Sequence, residues 1–433
     1  MSANSKFSFK SLFNFKNNNK MTKKVAIIGS GQSGLQVGIG LLKKGFDVTI
    51  VNDRTADEIK NGRVTSSQFM FNMSLENERE IGVEFWDETC PPTNAVGLVV
   101  PNPEAPGEKL ISWVGNLDKK GMSVDQRVKF PKWMDEFEKL GGKLIIRNAD
   151  ISYIDELAAK NDLVIVAAGK GEIVKMFERD DEKSMYDKPM RALALTYVKG
   201  MKPNNPSRVA FNLIPTVGEY FVFPALTTSG PCEIMVFEGI PGGPMDCWGD
   251  VKTPAEHLAK SKEILEKFLP WEAERCQNIE LTDDNGRLAG RFAPTVRKPI
   301  ATLPSGRKVL GIADVVVVND PITGQGSNNA SKCAKVYIDS IVANIGNDYN
   351  EAWMQETFDK FWDYAQHVTL WTNTLLGPPP EHILNFLGAA GQAQSLADLF
   401  ANNFSDPSNF FPWWLDPEKT NELIGSHMKA AQE

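Results

Sequence analysis

Short runs of consecutive apolar residues occur early in the chain and predict strands that are buried on both faces. Residues 25–28 and 48–51 form two such runs. Between them, residues 33–44 carry apolar side chains along most of a helix-length segment that Gly45 ends, which predicts a helix. The order strand, tight turn, helix, strand over residues 24–53 is typical of an α/β domain with a parallel sheet.

Further along the chain the pattern of apolar positions changes twice. A helix is predicted over 124–142, a strand over 143–147, and a buried strand over 163–168 that runs into a turn of small residues. Residues 190–245 hold short alternating runs divided by Pro and Gly, which predict an antiparallel sheet. Beyond them the pattern predicts further elements: a helix over 253–277, a strand over 309–318, a helix over 327–345, and a helical, Trp-rich remainder.

Composition narrows the class of protein. The chain has 433 residues, 42% of them hydrophobic and 24% charged, which is ordinary for a soluble globular protein of two or three domains. The net charge of −8 argues against a nucleic-acid partner and, weakly, against an anionic membrane surface. No apolar run is long enough to span a membrane. Five scattered cysteines and four histidines form no metal-ligand cluster, so we expect reduced thiols, no metal and a cytoplasmic location.

The segment between the first two predicted strands begins with Gly29-Ser30-Gly31-Gln32-Ser33-Gly34, a G-x-G-x-x-G pattern. The pattern alone is weak, but its place between a strand and a helix is the context that supports dinucleotide binding. Gly29 would permit the turn, Gly31 the approach of a pyrophosphate, and Gly34 close packing of helix on strand. The helix N-terminus would offer its free N–H groups to the phosphates.

A carboxylate is expected about 20 residues later, where it would hold a ribose hydroxyl. Asn52 occupies that position and Asp53 follows it. The sequence leaves open which of the two holds the ribose.

A second motif lies late in the chain and distinguishes FAD from NAD. Gly311-Ile312-Ala313-Asp314 is expected within a strand, and Asp320-Pro321-Ile322-Thr323-Gly324-Gln325-Gly326-Ser327-Asn328 leads into a helix. This arrangement resembles the flavin-ribityl motif of FAD aromatic hydroxylases, with Ala313 in place of the usual Gly. Asp314 would accept from ribityl hydroxyls, and the N–H groups near 326–328 would face the pyrimidine edge of the flavin.

The resemblance becomes close when several short motifs are taken together. The runs at 51–54, 62–63, 124–127 and 320–331, with Leu-Trp-Thr-Asn at 370–373 and Pro-Pro-Pro-Glu at 378–381, resemble the oxygenase component of styrene and indole monooxygenases. This resemblance covers about residues 21–410. In that family a separate NADH-dependent reductase supplies reduced, diffusible FAD, and the oxygenase uses O2 to epoxidise a vinyl or indole double bond. Single-component hydroxylases usually carry an Asp-Gly motif where this chain has Gly169-Lys170-Gly171, which also favours a separate reductase.

The motifs and the resemblance together give a set of expected cofactor contacts. The residues expected to bind FAD are Gly29, Gly31, Gln32, Ser33, Gly34, Asn52, Asp53, Arg54, Arg63, Arg127, Ala168, Gly169, Asp314, Pro321, Gly324, Gly326, Ser327 and Asn328. We expect the flavin to carry the chemistry, so no catalytic protein residue is predicted.

The segment after Arg63 predicts the substrate. Within the family, indole-type enzymes share Ser, Gln and Met at alternate positions where styrene-type enzymes share Asn, Val and His, and this chain has Ser66, Gln68 and Met70. If the segment is extended, alternate residues share one face. Ser66 or Gln68 could then accept from the indole N–H, and Met70 could contact the ring. Val96 and Leu98 are further candidates for the pocket wall.

The expected fold is α/β. A Rossmann-like FAD-binding domain of the aromatic-hydroxylase type is built from 21–90, 115–175 and 285–345, and an antiparallel-sheet substrate domain from 91–114 and 176–284. Residues 346–433 form a helical region, and 1–20 are a disordered tail unless Met21 is the working start. The expected activity is epoxidation of indole at its 2,3 double bond, leading to indoxyl and indigo. A styrene epoxidase, a self-sufficient NAD(P)H aromatic hydroxylase and a non-catalytic flavin-binding protein are the alternatives, and the oligomeric state stays open.

Overall fold

The computed structural model of the protein describes residues 22–169 and 171–431, so the expectations for residues 1–20 and Met21 lie outside it. Its strands are β1 (Lys24–Ile28), β2 (Asp47–Asn52), β3 (Phe69–Met70), β4 (Thr93–Pro101), β5 (Lys109–Ser123), β6 (Lys143–Ile146), β7 (Leu163–Val166), β8 (Ala192–Lys199), β9 (Arg208–Ile214), β10 (Gly218–Thr227), β11 (Gly230–Gly239), β12 (Glu280–Leu281), β13 (Arg287–Gly290), β14 (Thr295–Val296), β15 (Ile300–Thr302), β16 (Lys308–Gly311) and β17 (Val317–Val318).

Helices connect and cover these strands. They are α1 (Gln32–Lys43), α2 (Ala56–Lys60), α3 (Asn72–Glu80), α4 (Gln126–Lys139), α5 (Ile151–Ala158), α6 (Pro254–Phe268), α7 (Pro270–Arg275), α8 (Gly326–Ala343), α9 (Glu351–Leu375), α10 (Glu381–Ala390), α11 (Gln394–Asn403) and α12 (Pro417–Ala430). Within the described ranges, no helix combines the length and the apolar character needed to cross a membrane.

The first sheet has six strands in the order β15-β16-β7-β1-β2-β6, and all its pairs are parallel except β15 with β16. Helix α1 lies beside it and packs against both α4 and α8. Gly40 makes the contact of α1 with α8 possible, because a Cβ there would lie 2.5 Å from Ile338 Cδ1. This arrangement confirms the predicted α/β domain with a parallel sheet and places the carboxyl ends of β1, β2, β7 and β16 at one edge.

The second sheet has nine strands and confirms the antiparallel region predicted over 190–245. Its path is β12-β8-β11-β10-β9-β4-β5-β3, with β13 also pairing with β8. β5 belongs to this sheet over its whole length, so the domain boundary predicted between residues 114 and 115 is wrong, because it would cut one continuous strand. β3 and β13 also join this sheet, although their residues were assigned to the FAD domain.

The two faces of the second sheet are covered by different helices. One face carries Phe221, Phe223 and Val236 and packs on the C-terminal helices, where Trp371 and Phe400 are buried. The other face, which includes Met235 and Phe237, packs against α6 and α7. The substrate domain and the helical C-terminal region therefore share one apolar core.

Two predicted elements are broken in the structure. The helix predicted over 253–277 is two helices, because Pro270 disfavours a helical conformation at Leu269, whose φ is −139° and ψ 67°. The strand predicted over 309–318 ends at Gly311, and a 3₁₀ turn, Ala313–Val315, follows it. Ala313 has a φ of 52°, which no strand residue adopts, so Asp314 lies in a turn rather than in a strand.

Candidate cofactor and substrate site

The three glycines of the first turn have different surroundings. Gly29 has a φ of +109°, and a Cβ there would meet the backbone of Ala167 at 3.1 Å. A Cβ at Gly34 would overlap the carbonyl oxygen of Gly29, so α1 lies as close to the turn as glycine allows. A Cβ at Gly31 would meet no described atom within 4 Å. Gly34 is thus needed for packing, whereas Gly31 borders the kind of open space that a phosphate requires.

The side chains at the start of α1 point into the protein. Gln32 and Ser33 are both buried, and Gln32 Nε2 donates to Glu78 Oε1 at 2.8 Å. Lys129 Nζ donates to the same oxygen at 2.7 Å, which makes a buried ion pair. The predicted contact of Gln32 with the cofactor can therefore use its main-chain N–H, since its side-chain amide is engaged with Glu78.

Asn52 and Asp53 differ in what their side chains contact. Asn52 Oδ1 accepts from Ser30 N at 3.3 Å, and its Nδ2 donates to Arg54 O at 2.7 Å. Asp53 is exposed beside Arg54, with 3.6 Å between the Oδ1 of Asp53 and the Nε of Arg54. Asn52 therefore shapes the turn, and the carboxylate at the end of β2 that stays accessible to a ribose is that of Asp53.

The end of β7 meets the turn that follows β16. The parallel register pairs Val166 with Gly311, so Ala168 and Gly169 come to lie next to Asp314. A Cβ on Gly169 would lie 3.1 Å from the Cβ of Asp314. Asp314 is exposed at this edge. Two segments about 145 residues apart in the sequence thus meet at the carboxyl ends of the strands, where α/β sheets bind ligands.

The loop before α8 forms the other side of the same edge. Asp320 Oδ1 accepts from Ile322 N at 3.2 Å and so caps the 3₁₀ turn that begins at Pro321. Gly324 then adopts a φ of 64°, and α8 begins at Gly326. Among the described atoms, none lies within 4 Å of a Cβ built on Gly324 or Gly326. The N–H groups at the start of α8 have no intrahelical acceptor, as at any helix N-terminus.

The side chain of Asn328 binds other parts of the chain, whereas the contact predicted for this position uses main-chain N–H groups. Its Oδ1 accepts from Phe71 N at 2.8 Å, and its Nδ2 donates to Phe69 O at 2.9 Å and Gly324 O at 3.1 Å. The side chain is fully buried, so it links α8 to β3 instead of reaching a ligand. The main-chain N–H groups of Ser327 and Asn328 remain the groups at this helix start that suit a flavin ring.

These surroundings fit a flavin dinucleotide. Space remains where side chains at Gly31 and Gly326 would project, and buried polar atoms near the loop before α8 lack partners within the described chain. Those atoms are Asn319 Nδ2, Gln325 Oε1, Asn329 Oδ1 and Nδ2, and Asn373 Oδ1. Buried polar groups are normally hydrogen-bonded, so this concentration marks a place where a ligand supplies the missing partners.

Two surface recesses lie elsewhere. One, of about 680 Å³, is lined by residues between Asp246 and Glu263 with Arg291, and the other, of about 270 Å³, includes Asp162, Leu163 and Lys308. The second lies at the amino ends of β7 and β16, opposite the edge that carries Gly31 and Asp314. The geometry of the glycines and of Asp314, rather than the size of a recess, therefore defines the candidate site.

The two other arginines predicted to bind the cofactor differ from each other. Arg63 is exposed. Arg127 is only 4% exposed, and its five N–H groups donate to Asp125, Gly62, Thr227 and, twice, Asp283. Arg127 thus joins α4 to the loop after β12, and no donor remains on it for a phosphate among these contacts.

The predicted substrate residues do not share one face. Gln68 has a φ of 41°, which breaks the alternation of an extended strand, and Ser66 Oγ lies 3.4 Å from Gln68 Oε1. Gln68 Nε2 donates to Tyr197 Oη at 2.9 Å, and Tyr197 Oη donates to Ser66 O at 2.7 Å. Met70 belongs to the core of the FAD domain, with its Sδ 3.2 Å from Lys129 Nζ. The one-face argument is wrong, because Gln68 is not extended.

The predicted wall residues and the residues beside Met70 line an apolar layer. Val96 and Leu98 of β4 are buried in the same apolar cluster as Phe69 and Phe71. The ring of Phe71 is 5.3 Å from that of Phe404, whose carbonyl accepts from Gln325 Nε2 at 2.9 Å. This apolar layer therefore lies next to the loop before α8.

Sequence analysis missed a group of buried charged residues beside this loop. Arg191 forms a two-point ion pair with Glu219, with donor–acceptor distances of 2.6 and 2.8 Å, and Glu238 and Asp320 lie next to them. Glutamates in otherwise apolar strands were the available signal. Only the pairing of β10 with β11 shows that the two glutamates are neighbours.

Comparison with known proteins agrees with this geometry. A family profile for the substrate-binding domain of styrene monooxygenase A matches residues 169–275. A styrene monooxygenase, StyA, of Pseudomonas fluorescens is 29% identical over 417 residues, covering 94% of this chain and 99% of the relative. A second StyA, from Pseudomonas sp, is 29% identical over 412 residues, with 93% and 97% covered.

Solved structures show the same fold at low sequence identity. The flavin-dependent brominase Bmp2 superimposes with a TM-score of 0.66 at 14% identity, covering 94% of this chain and 99% of the brominase. A flavoprotein/dehydrogenase from Cytophaga hutchinsonii also gives 0.66, at 13% identity and with the same shares covered. The fold and the site thus define an FAD-dependent flavoprotein of the aromatic-hydroxylase fold.

The relatives and the matched domain narrow this class. The chain is a flavoprotein monooxygenase, and over nearly its whole length it is similar to the oxygenase component of styrene monooxygenases.

Proposed function

We propose that this chain epoxidises the 2,3 double bond of indole, using O2 and reduced, diffusible FAD supplied by a separate NADH-dependent reductase. Bound reduced FAD supplies two electrons and activates O2, so that one oxygen atom enters the substrate and the other leaves as water. The epoxide opens to indoxyl, which oxidises in air to indigo. The role of the chain is to bind the flavin, orient the substrate and exclude water.

The proposal of an aromatic substrate rests on the contact between the apolar layer that includes Phe71 and the loop before α8. Phe404 bridges the two, because its ring packs on Phe71 and its carbonyl binds Gln325. Asn328 further holds Phe69 and Phe71 to the start of α8. A flat apolar molecule next to this layer would lie beside the flavin.

The indole assignment is supported by the type of residue at three positions and not by free acceptors there. Ser66, Gln68 and Met70 match the indole-type pattern, but Ser66 Oγ accepts from Gln126 Nε2 at 2.8 Å and Gln68 is bonded to Tyr197. We therefore propose that these residues set the shape of the segment. Gln325 Oε1, which is buried and without a described donor, is the acceptor that we propose for the indole N–H.

The test of substrate type is a comparison of indole with styrene under an identical supply of reduced FAD. Cells that make the wild type should turn blue. Replacing Ser66, Gln68 and Met70 by Asn, Val and His should change the shape of the segment that orients the substrate. The ratio of kcat/KM for indole over styrene should fall by about ten-fold, which corresponds to ~1.4 kcal/mol. Met73→His, three residues away on an exposed position, is the matched control.

Three outcomes would contradict parts of this proposal. An unchanged ratio in the triple variant would show that the three residues do not set selectivity. Turnover of styrene alone by the wild type would replace indole as the substrate. Rapid bleaching of the flavin when NADH is added to the purified chain with FAD would replace the two-component scheme by a self-sufficient hydroxylase.

A further inference from the structure

Three buried carboxyl groups surround one arginine beside the loop that precedes α8. Glu219 and Glu238 are directly paired across β10 and β11, so their side chains share a face and lie close together. Asp320 starts the loop that leads to α8, and its carboxyl group contacts that of Glu238. Arg191 is the cation of the group, and its guanidinium binds Glu219 at two points.

The charges of this group do not balance if every carboxyl is ionised. Arg191 compensates Glu219, which leaves Glu238 and Asp320 facing each other. Glu238 is 0% exposed and Asp320 is 2% exposed. Two adjacent carboxylates that are both shielded from solvent cannot both stay ionised, so at least one must hold a proton.

The hydrogen bonds indicate which carboxyl holds the proton. Asp320 Oδ1 accepts from Ile322 N, which favours a charged Asp320. Neither oxygen of Glu238 has an N–H or O–H donor in the described part of the chain. An ionised Glu238 would therefore be a buried, unpaired charge, whereas a protonated Glu238 has an acceptor in Asp320.

We propose that Glu238 is a positioning residue that stays protonated and donates a hydrogen bond to Asp320, and thereby fixes the Asp320–Gly326 loop in the geometry that binds the flavin. The proposal rests on the assignment of this loop to the flavin. Burial raises the pKa of Glu238 well above its ordinary value, and Asp320 and Glu219 raise it further, against the opposite effect of Arg191. The bond is thus present while Glu238 is protonated and is lost as pH rises through the pKa of Glu238 in the folded state.

Two substitutions of nearly equal size separate a donated hydrogen bond from packing. Glu238→Gln keeps a donor toward Asp320, so its affinity for oxidised FAD, measured by titration, should stay within about two-fold of wild type. Glu238→Leu removes the donor and should weaken FAD by about ten-fold or more. Glu233→Gln, on the same strand but on the opposite face near Arg275, is the matched control.

Equal affinities of Glu238→Gln and Glu238→Leu for FAD would overturn the proposal. A drop in the unfolding midpoint of the flavin-free Glu238→Leu with unchanged FAD affinity would show a purely structural role and would also overturn it. Gly31→Val tests the flavin site separately. If it weakens FAD while Glu238→Leu does not, the role of Glu238 alone fails; if neither does, the assignment of the flavin site fails.

A measurement on the wild type covers the case in which both variants fail to fold. Infrared spectra at about pH 8, where exposed glutamates are ionised, should show the carbonyl band of a protonated acid. That band should shift when the glutamate side chains carry ¹³C. Absence of a shifting band would overturn the proposal.

Discussion

Gly169 lies so close to Asp314 that a Cβ added to the glycine would be 3.1 Å from the Cβ of the aspartate. The parallel pairing of β7 with β16 produces this contact, because it aligns Val166 with Gly311 just before the two strands end. The position of the Asp314 carboxylate therefore depends on the absence of a side chain at residue 169.

The first prediction follows from that contact. Gly169→Val should displace Asp314 and weaken FAD by about ten-fold, since a branched side chain cannot share this space and a misplaced charge-assisted hydrogen bond costs ~1.5–3 kcal/mol. Titration with FAD is the measurement. Gly249→Val is the control, because a Cβ there meets no described atom within 4 Å. Equal effects of the two substitutions would contradict the prediction.

The second prediction concerns the carboxylate itself. Asp314→Ala should lower FAD affinity by about one to two decades, because a carboxylate that accepts from ribityl hydroxyls contributes ~1.5–3 kcal/mol. Asp314→Asn, which keeps an acceptor without the charge, should lie between wild type and Asp314→Ala. A variant that binds FAD normally but unfolds at a lower temperature would show that Asp314 only stabilises its turn.

The third prediction separates a ligand-binding glycine from a packing glycine. Gly31→Val should abolish tight FAD binding with little change in the unfolding midpoint, because the space beside Gly31 is open. Gly34→Ala should instead destabilise the protein by several kcal/mol, roughly the range of overpacked cores, because its Cβ would overlap Gly29 O. Thermal unfolding without FAD, followed by titration, distinguishes the two. A reversed pattern would be inconsistent with the phosphate site.

The fourth prediction concerns Arg127. Arg127→Ala should reduce the free energy of unfolding by about 3–5 kcal/mol, because it leaves the buried Asp125 without its cation. Denaturant unfolding is the measurement, and Lys360→Ala, from an exposed helical pair, should change stability by less than about 0.5 kcal/mol. Folded Arg127→Lys should keep FAD affinity within about three-fold. A larger loss of affinity with normal stability would restore the cofactor role.

The fifth prediction is a pH dependence of stability. Burial lowers the pKa of Lys332 to about 7, against the opposite effect of Asp406. Unfolding then takes up a proton between about pH 7 and the ordinary lysine value, so stability should increase with pH there, by at most about 1.4 kcal/mol per pH unit. Lys332→Met should remove this slope, and Lys335→Met, on the same helix but partly exposed and paired with Asp339, should not. An unchanged slope in Lys332→Met would show that a group other than Lys332 causes the pH dependence of stability.

The local pattern of apolar, Gly and Pro residues was sufficient to predict much of the fold. The turn at Gly29–Gly34 was predictable because a ligand-binding turn needs glycine at defined positions, and those needs are visible in a short segment. The antiparallel strands from Ala192 to Gly239 were predictable because Pro and Gly separate their alternating runs.

The parts that could not be predicted depend on distant neighbours or on a single backbone angle. The positive φ of Gln68 could not be inferred, because residues other than glycine seldom adopt one, so the face of Met70 was assigned wrongly. The engagement of Arg127 with Asp283 joins residues 156 positions apart. No periodicity encodes such a contact, and Arg127 was expected to bind the cofactor because the run at 124–127 resembles the family.

The amide of Asn328 has a consequence for how substrate preference can change in this protein. It holds the main chain at Phe69 and Phe71 to the first turn of α8. The segment 66–70, which we propose sets substrate preference, is therefore linked directly to the helix start where we propose that the flavin ring binds. A substitution that moves this segment also moves that helix end. Substitutions at residues 66–70 that alter selectivity without changing cofactor affinity must therefore preserve these two hydrogen bonds between Asn328 and the main chain.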